Sequence, residues 1–304
     1  MLSHLRRIVA WFGQPKVAPY LFISPFFVLF GVFMLWPIIS SLIMSSFQYQ
    51  GLVSRTFVGF DNYSRLSRDP RFLYSLFNTL LFAGTMLVLS ITTGIGFSLV
   101  LNSEQTPARN LFRLTYFAPI LTSVVVAGAV FKLILVDTNA GLLNWMVGLI
   151  GIPPQRWLLD SRFAIFAVIG LGFWRRFGLN IVYFLAGLQG VPDDLYESAI
   201  IDGANRLQQT FYITIPLLKP IIAFVSTITL IYSFQAFTEV FVLNPAGAMD
   251  SAQSHMVILG YYLYESAFTF FRLGYGSAIG VILTLVVLGV AVVQLKALGA
   301  FRDE

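Results

Sequence analysis

Apolar runs long enough to cross a bilayer recur along this chain, and the polar stretches between them are mostly short. They extend from Tyr20 to about Met44, Leu76 to Leu101, Leu114 to Val136, Phe163 to Leu188, Leu217 to Leu243 and Gly276 to Leu298. About 20 predominantly apolar residues suffice for a helix to span the hydrocarbon layer. The pattern therefore predicts an all-α integral membrane protein with six transmembrane helices, read as one membrane domain over residues 1–304. The first run is too long for a signal-peptide core, contains Pro25 and Pro37, and precedes no small-residue cleavage pattern, so it reads as a retained span. Pro119 predicts a kink in the third.

Between the runs, residues from about Gln48 to Phe72 are polar and carry Arg55, Asp61, Arg65, Arg68, Asp69 and Arg71. A short loop with Arg109 and Arg113 joins the second and third spans. From Asp137 to Arg162 the composition turns amphipathic. The piece Gly141–Ile150 is too short to cross and ends before Pro153-Pro154, which predicts an interfacial helix, with Trp145 and Trp157 at the headgroup level. Asn244 to Arg272 forms another connection, with an aromatic segment at Tyr261-Tyr262-Leu263-Tyr264, and six residues follow the last span.

One segment stands apart: Val191 to Pro220 is a long polar, charged stretch between the fourth and fifth apolar runs, each able to cross a bilayer. Its residues predict two short helices with a bend. Pro192 suits a first turn, where its missing N–H costs nothing, and Asp193, Asp194 and Glu197 place negative charge at the positive end of that helix. Gly203 tolerates the left-handed conformation of a helix stop, and Asn205 is a fit cap for a second helix running through Phe211 until Pro216 ends it. Leu195, Ala199, Ile200 and Leu207 give the segment an apolar edge suited to a partner's groove.

Composition agrees with the hydropathy pattern: 57% of the 304 residues are hydrophobic and 11% charged, against roughly 25% charged in soluble domains. Cysteine is absent and His4 and His255 are the only histidines, which argues against disulfides, thiolate chemistry or a histidine-built metal or catalytic centre. The net charge of +5 is accounted for by basic loops beside spans and calls for no nucleic-acid partner.

The order Glu197-Ser198-Ala199, three residues, Gly203, nine residues, Ile213-Thr214-Ile215-Pro216 resembles the loop of binding-protein-dependent ABC importer permeases. The family pattern is Glu-Ala-Ala, three residues, Gly, nine residues, Ile-any-Leu-Pro, and Ser198 and Ile215 depart from it mildly. Tyr196, Asp202-Gly203-Ala204 and Pro216-Leu217-Leu218-Lys219-Pro220 look like the carbohydrate-uptake branch, of maltose or glycerol-phosphate type; Val58-Gly59-Phe60-Asp61-Asn62-Tyr63 also resembles a family stretch. Ile23-Ser24-Pro25-Phe26 and Leu35-Trp36-Pro37 look like the first-type subunit of such permease pairs. The resemblance implies that residues 191–216 form a cytoplasmic coupling helix between the fourth and fifth spans, docked in a cleft of a separate ATPase. Glu197 would pair with a basic group there and Gly203 would allow the close turn, with Ser198, Ala199, Asp202, Ala204, Ile213 and Pro216 completing the contact. It also implies a homologous second permease, two cytoplasmic ATPase subunits and an external solute-binding protein, in a bacterial or archaeal cell membrane with both termini cytoplasmic. ATP and Mg would sit on the partner ATPase, and no cofactor or metal in this chain, which has no Gly-Lys-Ser or Gly-Lys-Thr phosphate loop. A capped amphipathic loop lying on the membrane surface is the plainer reading of the same residues.

With that orientation, Arg6, Arg7, Lys16, Arg109, Arg113, Arg206, Lys219, Lys296 and Arg302 fall inside, against Arg55, Arg65, Arg68, Arg71, Arg156, Arg162 and Arg272 outside. Nine against seven is a weak bias, so the orientation rests on the coupling segment.

Charged residues within spans usually face protein or water. Trp174, Arg175 and Arg176 lie near the middle of the fourth span, and Arg176, Asn180 and Tyr183 share a helical face. Two readings fit: a polar strip lining a translocation path, or a structural pair with an acid or carbonyl on a neighbouring span. In the fifth span Tyr232, Gln235 and Glu239 fall at i, i+3 and i+7 with Ser233 beside them. By resemblance to sugar importers such a strip would contact a sugar, aromatic ring to C–H face and amides to hydroxyls; interhelical hydrogen bonding is the alternative. Thr122 and Ser123 are weaker candidates, Lys132 reads as a snorkelling side chain, and Gly276 with Gly280 as close helix packing. An ion-gradient-driven secondary transporter is the rival function. It calls for an internal repeat and a mid-membrane acid; no repeat is visible, and Glu239 is the one acid within a span. A membrane enzyme would need clustered carboxylates, and Asp193 with Asp194 is the nearest approach.

Overall fold

The computed structural model describes residues 18–50, 54–102, 109–244 and 255–297. The basic flank Arg6, Arg7 and Lys16, the middle of the Asn244–Arg272 connection, Arg302 and the six-residue tail lie outside the described residues. The described residues fall into two compact units, one within Met1–Arg65 and Ser266–Val281, the other within Leu66–Glu265 and Ile282–Glu304.

In the first unit, α1 (Ala18–Phe30) leads through a π turn (Gly31–Leu35) into α2 (Trp36–Met44). Together they make an apolar rod, Pro19–Met44, with no buried residue in its most apolar window. A helix hydrophobic all round suits lipid or a neighbouring helix rather than water. The π turn has a local cause. Pro37 has no N–H to give, and the Trp36 N–H reaches back to the Gly31 carbonyl, so the wider turn absorbs the misfit ahead of the proline ring.

The polar stretch after it departs from an all-α architecture: β1 (Phe47–Gln50) and β2 (Ser54–Phe57) pair antiparallel, Phe47 opposite Phe57. Alternation of aromatic and polar residues favours the pleat. The Phe47 and Phe57 rings meet edge to face at 5.4 Å, and the Arg55 guanidinium lies over Phe47. Asn62, buried at the start of α3 (Asp61–Arg68), donates through Nδ2 to the Ser45 and Phe47 carbonyls at 2.8 and 3.0 Å. In the same unit Gly274 lies against the chain, since a Cβ there would sit 1.8 Å from the Phe47 oxygen. Gly276 also packs closely, since a Cβ there would lie 2.7 Å from the Ala267 Cβ, in line with the close packing read from its small-residue spacing.

In the second unit, α4 (Pro70–Asn102) starts six residues earlier than the hydropathy pattern predicts, because Pro70 opens its first turn. It packs along α8 (Ala164–Leu188) around Phe82, Met86, Val168 and Leu171. Between them come α5 (Arg109–Leu121), α6 (Val124–Ile134) and the short α7 (Leu142–Gly148). The third apolar run is bent far more sharply than a proline kink alone would give: α5 and α6 diverge by 106° at Thr122-Ser123. Pro119 removes one backbone donor, the Thr122 N–H turns to the Pro119 carbonyl, and Ser123 takes an extended conformation that begins the new helix.

The α7 helix matches the predicted interfacial piece, with Trp145 exposed. Asn144 is buried beneath it and makes four bonds: Nδ2 donates to the Val136 and Gln155 carbonyls, and Oδ1 accepts from the Gln155 N–H and the Trp157 Nε1–H. Trp157 is thus tied into the loop through its indole N–H. Nearby, hydrogen bonds from Arg162 hold the Asp160 carboxyl at about 2, well below the usual carboxylate range.

Two further expectations change. Lys132 donates through Nζ to the Asn244 carbonyl at 3.2 Å instead of snorkelling outward. The fifth apolar run breaks at Gln235–Phe237, between α12 (Lys219–Phe234) and α13 (Thr238–Leu243). Beyond the undescribed residues, the segment from His255 through α14 (Leu259–Tyr264) is stitched to α4. Asn78 donates to the His255 and Val257 carbonyls, the Leu259 N–H donates to Thr79, Tyr262 donates to Asp69, and Arg71 pairs with Glu265 at 2.5 Å. The last helix, α15 (Leu273–Ala297), is shared between the units, and within the second its Gln294 donates to Thr227 of α12.

Glycines set how closely the helices approach. A Cβ on Gly178 of α8 would lie 1.7 Å from the Tyr116 carbonyl oxygen of α5, and one on Gly94 would lie 2.5 Å from the Phe184 ring. We predict that Gly178→Ala forces the two backbones apart and costs about 1–3 kcal/mol, the usual range for overpacking. The readout is the melting temperature of the detergent-purified protein, and an unshifted value would contradict this crossing.

Candidate functional site

The charged segment after α8 folds as α9 (Asp193–Ile201), α10 (Arg206–Gln209), a π turn (Thr210–Thr214) and α11 (Ile215–Leu217). Pro192 sits one position before the first helical turn, with Asp193 and Asp194 inside it, and Ser198 donates to the Asp194 carbonyl at 2.8 Å. The stop of α9 is a Schellman motif. The Ala204 N–H bonds the Ala199 carbonyl, the Gly203 N–H bonds the Ile200 carbonyl, and Gly203 holds φ at +80°. Two residues on, Asn205 and Gln208 close a capping box, Oδ1 accepting from the Gln208 N–H at 2.9 Å and Oε1 from the Asn205 N–H at 2.8 Å.

Pro216 does not end the second helix. The π turn, in which the Ile215 N–H reaches back to Thr210, lets the helical course pass it and continue to Leu217. The chain then turns by 67° into α12. The hydroxyls of Tyr196 and Thr214 meet at 2.9 Å and tie α9 to that exit, while Ile213 is partly buried beside it.

Glu197, Asp202 and Gly203 are exposed and Ala199 and Ala204 half-buried. The apolar edge predicted from Leu195, Ile200 and Leu207 is exposed, and so are three residues the sequence reading passed over, Ile201, Phe211 and Tyr212, with Ile201 87% exposed. Adjacent bulky apolar residues in an otherwise polar segment were the available signal.

The second set of candidates lies where α8 meets α12 and α13. Arg175 Nη1 is 3.4 Å from Glu239 Oε1, and the Tyr232 hydroxyl donates to the same oxygen. The Arg176 guanidinium carbon lies 3.6 Å from the centre of the Tyr232 ring. Glu239 is buried, and the break at Gln235–Phe237 turns it back toward Tyr232 and Arg175 without the continuous helix that the sequence predicts. Gln235 caps the end of α12 and is exposed.

Other candidates go elsewhere. Asn180 is buried and donates to Ser90 of α4 at 2.8 Å. Ser233 is fully buried and bonds back to the Thr229 carbonyl. Trp174 rests against Phe131 and is 39% exposed, while Thr122 bonds its own helix at Ala118. The structure therefore brings Arg175, Arg176, Tyr232 and Glu239 together and assigns Asn180 and Ser233 to holding helices.

Helices long and apolar enough to cross a membrane, with two bent pairs among the described residues, mark a multi-pass membrane protein. The chain superposes on a bacterial ABC transporter involved in the import of the acidic polysaccharide alginate, with a TM-score of 0.81 over 98% of this chain and 100% of that one, at 21% identity. No family model matches. The chain is 41% identical over 298 residues to the arabinooligosaccharides transport system permease protein AraP of Bacillus subtilis, covering 96% of this chain and 92% of AraP. It is 30% identical over 289 residues to the trehalose/maltose transport system permease protein MalF of Thermococcus litoralis, covering 94% of each. The chain belongs to the permease subunits of ABC sugar transport systems, and it is a multi-pass membrane protein.

We predict that Glu239→Ala, which leaves the half-buried Arg175 guanidinium without its carboxylate, destabilises the protein by about 1–3 kcal/mol, whereas adding Arg175→Met recovers much of the loss. Thermal unfolding of the single and double variants measures it. Equal damage in both would show that the pair is not coupled.

Proposed function

We propose that this chain forms half of the translocation pathway of an ATP-driven sugar or oligosaccharide importer, as the first-type subunit beside a homologous second permease. Counting each bent helix pair as one crossing gives up to six spans by length and composition; six crossings would leave both termini on one side, and a coupling segment that faces ATP makes that side the cytoplasm, with residues 1–304 as one membrane domain. Two ATPase subunits, which carry ATP and Mg, engage residues 191–216, and an extracytoplasmic binding protein delivers the solute.

The observation that carries the reading is the elbow between α8 and α12. Its apolar face and Glu197 are exposed, and its internal bonds make it stiff enough to transmit displacement. Closure of the ATPases would move this elbow and bias the spans between two arrangements. Glu197, Ser198, Ala199, Asp202, Gly203, Ala204, Ile213 and Pro216 form or support the docking surface. Arg175, Arg176, Tyr232, Gln235 and Glu239 border the path, with Trp174 nearby. The arabinooligosaccharide and trehalose/maltose relatives make an oligosaccharide the favoured cargo.

Glu197→Lys reverses the charge of the docking face, and Gly203→Asp strains a left-handed stop by about 1 kcal/mol. Each is expected to leave the protein in the membrane, to cut uptake in cells by about tenfold or more, equivalent to ~1.4 kcal/mol of docking, and to weaken ATPase co-purification. Because the chain has no cysteine, Leu207→Cys provides a single reporter. Labelling of that thiol by an impermeant maleimide from the outside of intact cells would defeat the coupling assignment. Gln235→Ala should alter solute preference with the complex intact, and unchanged kinetics for every solute would remove that residue from the path.

A further inference from the structure

The cluster between α8, α12 and α13 is unbalanced in charge. It holds two guanidiniums, Arg175 and Arg176, and one carboxylate, Glu239. Glu239 is already engaged on Oε1 by both Arg175 and Tyr232. Among the described residues Arg176 takes part in no salt bridge, and its guanidinium lies over the Tyr232 ring.

That contact leaves something over. Stacking on a ring uses the face of a guanidinium, whereas its N–H donors point outward in the plane and match a carboxylate or phosphate two at a time. The platform beneath it is fixed, because the Tyr232 hydroxyl is held by Glu239. Arg176 is half-buried, where opposite charge is felt more strongly than in water. Charged residues within a span are expensive to keep and usually face a partner, water or a ligand, so a second cation here calls for an anionic counterpart.

Resting on the importer reading above, we propose that Arg176, seated on Tyr232, is a specificity-determining residue that selects saccharides carrying an anionic group, a carboxylate or a phosphate. Arg175 is the structural member of the pair, bound to Glu239, and Arg176 is the one that reads the cargo. A single bound carboxylate brings the cluster to neutrality, and a phosphate monoester more than offsets its excess positive charge.

The test uses the complete importer complex in detergent without its binding protein, so that selectivity measured is that of the membrane part. Calorimetric titrations with a galacturonate trisaccharide, a neutral galactose trisaccharide and mannose 6-phosphate give three affinities. The anionic sugars are expected to bind about tenfold or more tighter than the neutral one, with the preference shrinking as salt is raised. A preference for galacturonate alone or for the phosphate alone identifies which anion is read. Arg176→Gln should bring the ratio to about one, and Arg176→Lys should keep part of it, with assembly of both variants verified by gel filtration. Equal affinities in the wild-type complex, no binding of either anionic sugar, or a preference that survives Arg176→Gln would each overturn the proposal. Uptake of the neutral trisaccharide by the intact system is measured in parallel. Uptake without anion preference sinks only this inference, whereas absence of ATP-dependent uptake of every saccharide sinks the importer reading itself.

Discussion

Inside hydrocarbon a backbone N–H or C=O has no water to turn to, and each helix break must find its own partners within the protein. The second compact unit is arranged around that accounting. At Thr122-Ser123 the Thr122 N–H goes to Pro119 and the Ser123 carbonyl accepts from Ala127. At the break after α12 the Gln235 and Ala236 N–H groups return to Ile231 and Ser233, and the Asn244 carbonyl beyond α13 accepts from Lys132. Prolines are handled by one device in two places, a π turn immediately upstream of Pro37 and of Pro216, which keeps the helical course going where a proline would otherwise stop it.

Breaks cost cohesion, and close packing restores it. Glycines at 94, 128 and 178 let helices approach until a single methyl would collide with Phe184, Val242 or the Tyr116 backbone. Buried hydrogen bonds between helices, Asn180 to Ser90 and Gln294 to Thr227, fix rotation about those contacts. The charge cluster depends on this framework. Arg175 and Glu239 are 64 residues apart in the chain, and they meet because α13 turns back at Gln235–Phe237 while packing holds Val240 in the core.

The elbow is built differently. Few of its residues are buried, so its stiffness comes from local bonds: a Schellman stop, a capping box and the Tyr196–Thr214 tie. A part whose shape is set by its own backbone can leave its apolar residues outside for a partner. In the membrane units the opposite holds, since there the shape is set by side chains from distant positions.

The same distinction separates what was legible in the sequence from what was not. Hydropathy located the apolar runs, and local chemistry located the elbow, down to Gly203 as its stop and Asn205 as its cap, because those features depend on neighbours a few residues away. The hairpin at Phe47–Phe57 was missed, as short alternating stretches beside a span carry little periodic signal. The helical face drawn through Tyr232, Gln235 and Glu239 assumed an unbroken span, and the break after Phe234 changed which of those residues meet. On the unbroken α8, Asn180 turns to Ser90 of α4, and Ser233 of α12 bonds its own helix, contacts that periodicity alone does not reveal. By itself the sequence determined where the chain is apolar and where it bends locally. Tertiary structure decided which charges pair and which aromatic ring a guanidinium rests on, because those outcomes depend on contacts between segments brought together only when the helices pack.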